Sequence, residues 1–128
     1  MAVNFTDYDE SNIFAKILRA EIPCHKVFEN EYALAFYDIQ PQAKKHILVI
    51  PKGAYISSQD FYLHASIEEI QGFHRAISSI TEQEGLNISD NQNGYRLISN
   101  AGQNGGQEVP HFHIHILGGE KLGSLLGK

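Results

Sequence analysis

The chain has one cysteine, one methionine and no tryptophan in 128 residues. Cys24, standing alone, excludes an intramolecular disulfide and leaves no cysteine cage for a metal. No apolar run approaches the length that spans a bilayer. The N-terminus, from Met1 to Asp7, lacks the basic stretch and apolar core of a secretory leader. These absences imply a cytoplasmic protein with no membrane partner. Cationic residues are also scarce, with 10 Lys and Arg against 15 Asp and Glu for a net charge of −5. That balance argues against nucleic acid, whose backbone needs clustered Lys and Arg. A small phosphate ligand remains compatible, because a local site can be positive inside an acidic protein. Lys44-Lys45-His46 is one cue for such a site, although adjacent lysines at a strand end are more often a solvated edge.

What is present fits one domain over residues 1–128, with an ordinary 42% apolar and 20% charged composition. Residues 1–10 are polar and acidic and read as a loose N-terminus; residues 119–128 read as a C-terminal tail. Ser11 or Asn12 can cap a short helix whose stripe is Ile13, Phe14, Ile17 and Leu18, ending before Pro23. Lys26–Glu29, Ala33–Tyr37 and His46–Ile50 are strand candidates, followed by a loop holding Ser57, Ser58 and Asp60. Ser66 and Glu69 have capping-box spacing for a long helix with Ile67, Ile70, Phe73, Ile77 and Ile80 on one side, closed at Gly85. Residues 91–94 read as a turn. Tyr95–Ser99 and His111–Leu117 complete the strands. Short connections favour antiparallel pairing, so the fold class is α+β: a five-stranded antiparallel sheet with two helices on one face.

His111, His113 and His115 alternate along the last strand candidate, which puts the three imidazoles on one face and Phe112, Ile114 and Ile116 on the other. Seven histidines in 128 residues would produce such a triple in roughly 2% of shuffled chains, so chance explains it poorly. Three readings compete. The imidazoles can chelate a metal such as zinc, one can attack an electrophile while its neighbours handle protons and charge, or the cluster is a pH switch or purely structural. The preceding loop, from Asn100 to Gln107, bears on the choice. Its glycines, Gly102, Gly105 and Gly106, can expose backbone N–H groups as an anion cradle, which serves a phosphoryl group and does nothing for a metal. A plain hairpin loop is the bland alternative, and its length counts against it.

The run from Asn100 through Gly105-Gly106-Gln107-Glu108-Val109-Pro110 to His111, His113 and His115 resembles the signature of the histidine triad (HIT) superfamily. Ile13–Ile17, Glu21–Pro23, Leu34–Ala43 and His46–Lys52 resemble its Hint-type branch. The likeness runs from about Asn12 to Leu122.

The resemblance implies a purine nucleoside phosphoramidase: a hydrolase acting at the α-phosphate of purine nucleotide derivatives through a nucleotidyl-histidine. By position, His113 would be the nucleophile, His115 would bond a phosphoryl oxygen, His111 would fix its neighbour's tautomer and His46 would support them. Phe14, Ile17, Phe36 and Ile39 would hold base and ribose, with Asp38 accepting from ribose hydroxyls. Taken singly, Phe14, Ile17 and Phe36 are better read as core. Asn100, Gly106, Gln107, Glu108 and Val109 would surround phosphate and leaving group. The branch implies AMP or GMP derivatives as ligands, no cofactor, no metal, and a homodimer joining two sheets into ten strands, often with the long helix at the interface.

This sequence departs from animal relatives at three places. Glu108 replaces a serine that assists the leaving group, Tyr37 replaces a histidine beside Asp38, and the tail lacks a tryptophan-proline ending; in its glutamate and tail it resembles bacterial forms. Ala15 stands where some relatives carry a zinc-binding cysteine, so no structural zinc is expected. The alternatives are a dinucleoside polyphosphate hydrolase of a neighbouring branch and a nucleotide-binding regulatory module with weak catalysis. A uridylyltransferase-like reading is disfavoured by histidine at 115, and DNA-adenylate repair by the acidic charge and missing zinc finger.

Overall fold

The computed structural model describes residues 3–127; Met1, Ala2 and Lys128, at the ends of the expected loose N-terminus and tail, lie outside the described residues. The Asn12 side chain accepts from the Ala15 amide at 2.9 Å and starts α1 (Ile13–Leu18). The chain continues through β1 (Lys26–Glu29), β2 (Ala33–Tyr37), β3 (Lys45–Pro51), α2 (Ser58–His64), α3 (Ile67–Gln83), β4 (Tyr95–Ile98) and β5 (Ile114–Gly118). All pairings are antiparallel, in the order β1-β2-β3-β5-β4. The crossover from β3 to β4 and back inserts β5 beside β3, so the histidine-bearing strand sits in the interior of the sheet.

Alternation along the strands builds two different faces. Ala33 and Ala35, Ile47 and Val49, and Ile114 and Ile116 point toward α2 and α3, where Phe61, Phe73, Ala76, Ile77 and Ile80 close the larger core. Phe61, Phe73 and Phe112 meet there with ring centroids 5.0 to 5.2 Å apart. Each such side chain, buried, contributes about 1.5–3 kcal/mol of transfer free energy. Leu34 and Phe36, Leu48 and Ile50 point the other way, against Phe14 of α1. His46 and His115 share this second face.

Four expectations need correction. There are three helices, not two, and they cover both faces: Ser57 caps α2 through the Asp60 amide, so the expected loop at Ser57–Asp60 is a helix start. At 7 residues, about two turns, the helix gives little periodicity to read in the sequence. The ladder of β5 begins at Ile114, not His111; Pro110 has no N–H, and the Phe112 amide goes instead to the Tyr55 carbonyl at 2.7 Å. The N-terminal segment is tied down rather than loose: the Thr6 and Asp7 amides bond the Asn4 side chain, Arg19 bonds the Glu10 carbonyl, and Tyr8 reaches His111. The turn expected at 91–94 is centred two residues earlier, with Asp90 and Asn91 at φ 50° and 63° between the bridged Ser89 and Gln92. Elsewhere the caps stand where the sequence put them, including the full Ser66–Glu69 capping box and the termination of α3 before Gly85 at φ 72°.

Candidate functional site

The second face of the sheet carries a cavity of about 330 Å³ lined by Phe14, Asp38, Gln40, Gln42, His46, Leu48, Asn100, Gly106, Glu108, Val109, His113 and His115. Two hollows of similar volume and one larger, of about 430 Å³, lie elsewhere, but none holds a cluster of histidine rings. The chemistry points to the histidine cavity.

The hydrogen-bond partners fix which ring nitrogen carries the proton. The Gln42 amide donates to His46 Nδ1 at 3.0 Å, so neutral His46 carries its proton on Nε2. That nitrogen lies 2.9 Å from His115 Nδ1, and donating there leaves His115 with its proton on Nε2, facing the cavity it lines. His113 Nδ1 donates to the His111 carbonyl at 2.7 Å. A carbonyl only accepts, so the lone pair of His113 is on Nε2. The site therefore presents one nucleophilic nitrogen, from His113, beside one N–H donor, from His115, with ring centroids 5.1 Å apart.

Burial keeps all four rings neutral. It drives His115 down to about 4, helped by the neighbouring His113 and His46 and opposed by Asp38. The pKa values of His113 and His46 are lowered for the same main reason, with partial relief from the His111 carbonyl, Asp38 and Glu108 for His113 and from Asp38 for His46. Burial holds His111 at about 4, against its bond to the Pro51 carbonyl and with the help of the neighbouring His113.

The sequence-derived residues divide into those the cavity gathers and those it does not. Phe14, Asp38, His46, Asn100, Gly106, Glu108, Val109, His113 and His115 line it. Phe36 lies beneath Phe14, ring centroids 5.7 Å apart, and Ile17 packs against the same cluster. Ile39 projects from the rim, 86% exposed. His111 is not in the cavity. Its ring is fully buried, with Nε2 donating to the Pro51 carbonyl at 2.9 Å and Nδ1 2.6 Å from the Tyr8 hydroxyl. It meets His113 through its backbone carbonyl, and its imidazole makes no hydrogen bond to that ring.

Gln107 also stands apart. Its amide accepts from Gly102 N–H at 2.9 Å and donates to the Ile56 and Val109 carbonyls at 2.6 and 3.0 Å. It staples the glycine loop to the strand rather than lining the cavity. This alters the expected anion cradle: the amides of Gly102, Gly106 and Gln107 are consumed inside the loop. Gly105 serves close packing, because a Cβ there would meet the Ala101 carbonyl oxygen at 2.5 Å. Among the described residues, the amides of Glu108 and Val109 at the cavity wall have no hydrogen-bond acceptor in the chain. The sequence reading missed Gln40, Gln42 and Leu48 as lining residues and Tyr8 as the partner of His111. Gln42 acts through its backbone, so its side-chain identity carries no signal.

Asp38, His46 and His115 offer ligand atoms within 4.8 Å of one another, a spacing that could hold a metal ion. The proton pattern opposes it. A neutral His46 ligating through Nε2 would carry its proton on Nδ1, facing the Gln42 N–H, whereas metal-bound histidines present that second N–H to an acceptor.

A pocket floored by aromatic rings, carrying one free imidazole nitrogen and one imidazole donor on an antiparallel sheet, defines a histidine-cluster site that pairs a nucleophile with a hydrogen-bond donor. The HIT domain family matches residues 19–122. The chain belongs to the HIT superfamily, in its Hint-like part. It is 51% identical over 121 residues to an HIT-like protein of Azospirillum brasilense, covering 94% of this chain and 96% of that one. It is 44% identical over 120 residues to the purine nucleoside phosphoramidase of Escherichia coli K12, covering 91% and 94%. A histidine triad protein from Clostridium difficile has a similar structure, with a TM-score of 0.80 at 40% identity over 92% of this chain and 98% of that one. Among the described residues, no helix is long and apolar enough to cross a membrane.

Proposed function

We propose that this protein hydrolyses purine nucleoside phosphoramidates, cleaving the P–N bond at the α-phosphate through a covalent His113 intermediate. The observation that carries this reading is the tautomer of His113: Nδ1–H held by the His111 carbonyl at 2.7 Å, with the Nε2 lone pair at the cavity. Nε2 attacks phosphorus, the P–N bond breaks, and the leaving amine takes up a proton from solvent. The phosphorylated ring is then cationic, and the His111 carbonyl facing Nδ1–H favours that charge. His115 Nε2–H and the amides of Glu108 and Val109 supply donors for the phosphoryl oxygens as negative charge builds. Water then attacks phosphorus, breaks the P–Nε2 bond, releases the nucleoside monophosphate and returns the neutral ring.

Asp38 is proposed to accept from the ribose hydroxyls; its Oδ1 already takes the Gln40 amide at 2.8 Å, so the carboxylate is fixed in place. The base is proposed to pack between Phe14 and the exposed Ile39, over Phe36 and Ile17. The absence of Lys and Arg from the lining, with Asp38 and Glu108 both in it, supports an amine leaving group over a polyphosphate. A homodimer is proposed through β4, an outer strand whose Tyr95 and Leu97 are exposed. The 44% identity to the phosphoramidase supports the substrate class.

The test compares adenosine phosphoramidate with diadenosine polyphosphate, in chelator, for wild type and His113→Ala. Fast phosphoramidate cleavage that the substitution abolishes is the expected result. Preference for the dinucleotide would move the protein to the polyphosphate branch. Nucleotide binding without turnover would make it a regulatory module.

A further inference from the structure

We propose that Tyr8, in the N-terminal segment outside the family match, is a positioning residue for His113, acting through the ring of His111. The reading rests on the covalent role assigned to His113. Its starting point is the break in the ladder. β5 pairs with β3 and β4 only from Ile114 onward, so the carbonyl of His111, which sets the tautomer of His113, is not held by sheet hydrogen bonds. Its peptide is anchored outside the sheet on one side by the Phe112 amide, which bonds the Tyr55 carbonyl at 2.7 Å, and on the other by the His111 side chain.

That side chain has two anchors. His111 Nε2–H donates to the Pro51 carbonyl at 2.9 Å, at the end of β3. With Nε2 committed as donor, Nδ1 can only accept, and the Tyr8 hydroxyl lies 2.6 Å away to donate. The phenol stacks edge-on at 5.6 Å between centroids, and Phe14 meets both His111 and His113 edge-on at 6.3 and 5.0 Å. Burial raises the Tyr8 pKa, so its hydroxyl keeps its proton. Without Tyr8, the fully buried Nδ1 would have no donor among its neighbours, and the ring would turn or shift to find one. The His111 carbonyl would then be held through the Phe112 amide alone and could tilt away from His113 Nδ1.

Tyr8 is itself placed by its neighbourhood: the Ser11 amide and hydroxyl bond Asp9, the Asn12 amide bonds the Asp9 carbonyl, and Arg19 bonds the Glu10 carbonyl. These contacts fix the segment onto the start of α1. The N-terminal segment thus completes the buried side of the site, one shell behind the nucleophile.

The test is Tyr8→Phe, which keeps the ring contact and removes only the hydroxyl. Steady-state kinetics with adenosine phosphoramidate are paired with ¹⁵N spectra of the histidine side chains. We expect kcat to fall about tenfold with KM within about twofold of wild type, the kinetic size of one lost hydrogen bond. The His113 Nδ1 resonance should move from its protonated position toward an average of the two tautomers. Unchanged kcat with an unchanged His113 signal would overturn the proposal. So would a loss of kcat and KM together with the His113 tautomer unmoved, since that is a structural effect only. If wild type turns over no phosphoramidate, the hydrolase reading fails by itself, and the ¹⁵N comparison still decides whether Tyr8 sets the His113 tautomer.

Discussion

His46 Nε2 lies 2.9 Å from His115 Nδ1, and the Gln42 amide lies 3.0 Å from the opposite nitrogen of His46. A backbone N–H therefore determines, through two rings, that His115 offers N–H and not a lone pair to the cavity. The relay has one polarity because its first member is a peptide amide, which cannot accept. His46→Leu removes the middle of it and frees His115 to adopt either tautomer. We expect kcat to fall about ten- to a hundredfold, less than removal of a direct donor to the phosphoryl oxygens, with KM little changed. His46→Gln, whose carboxamide can donate near the Nε2 position, should recover part of the loss. Single-turnover rates on adenosine phosphoramidate check both.

Stability should fall as the solution is made mildly acidic. His111 and His115 have folded pKa values lowered to about 4 by burial, against an ordinary value of 6.5. Between these limits the unfolded chain binds protons that the folded chain refuses, so acidification favours unfolding. The contribution is intact above pH 6.5 and lost as pH falls toward 4. For His111 alone, the linkage gives about 2 kcal/mol between pH 7 and pH 5. Urea midpoints at the two pH values measure it, and a His111→Gln variant should have a flatter profile over that range. An equal midpoint at both values in wild type would contradict the burial argument.

The capping box gives a prediction confined to the far side of the sheet. Ser66 Oγ accepts the Glu69 amide at 3.1 Å, and the Glu69 carboxylate accepts the Ser66 amide at 3.1 Å. Ser66→Ala should cost about 1 kcal/mol of stability. The histidine cavity lies across the sheet from α3, so phosphoramidate turnover at 25 °C should be unaffected. Thermal melting and initial rates on the same preparation test the pair of expectations.

The legible parts of this molecule are those whose signals are local. Asn12, Ser66 and Gly85 mark helix ends by side-chain or φ requirements that neighbours in sequence satisfy. The separation of Phe112, Ile114 and Ile116 from His113 and His115 follows from strand alternation, and it survives although the ladder starts late. The family motif supplied the cavity's main members. What stayed hidden depends on chain segments far apart. Tyr8 meets His111 across 103 positions, and Pro51 accepts from it across 60; no periodicity encodes such contacts. The family resemblance implies Gln107 as a phosphate neighbour, yet its partner Ile56 is 51 positions away. The glycines suggest an open cradle because sequence cannot tell a free amide from one consumed within the loop.

Gln107 is where this distinction can be measured. Its Nε2 donates to two carbonyls, of Ile56 and Val109, while Oε1 takes the Gly102 amide. A phosphate-binding role and a stapling role make different demands on it. As a staple, Gln107→Ala leaves three polar partners short of a hydrogen bond and should cost about 2–3 kcal/mol. It also releases Val109 from one of its two restraints at the cavity wall, so KM for the phosphoramidate should rise as stability falls. Gln107→Glu separates the two ends of the side chain. The carboxylate keeps an acceptor for Gly102 but turns the donor into a second acceptor facing two carbonyls, which is worse than an absent group. At pH 7 it should therefore be less stable than the alanine variant. On acidification the carboxyl can carry a proton and donate again, so its stability relative to alanine should rise as pH falls. Denaturant midpoints of both variants at pH 7 and pH 5 read this difference directly; a glutamate variant more stable than alanine at pH 7 would place Gln107 outside the staple.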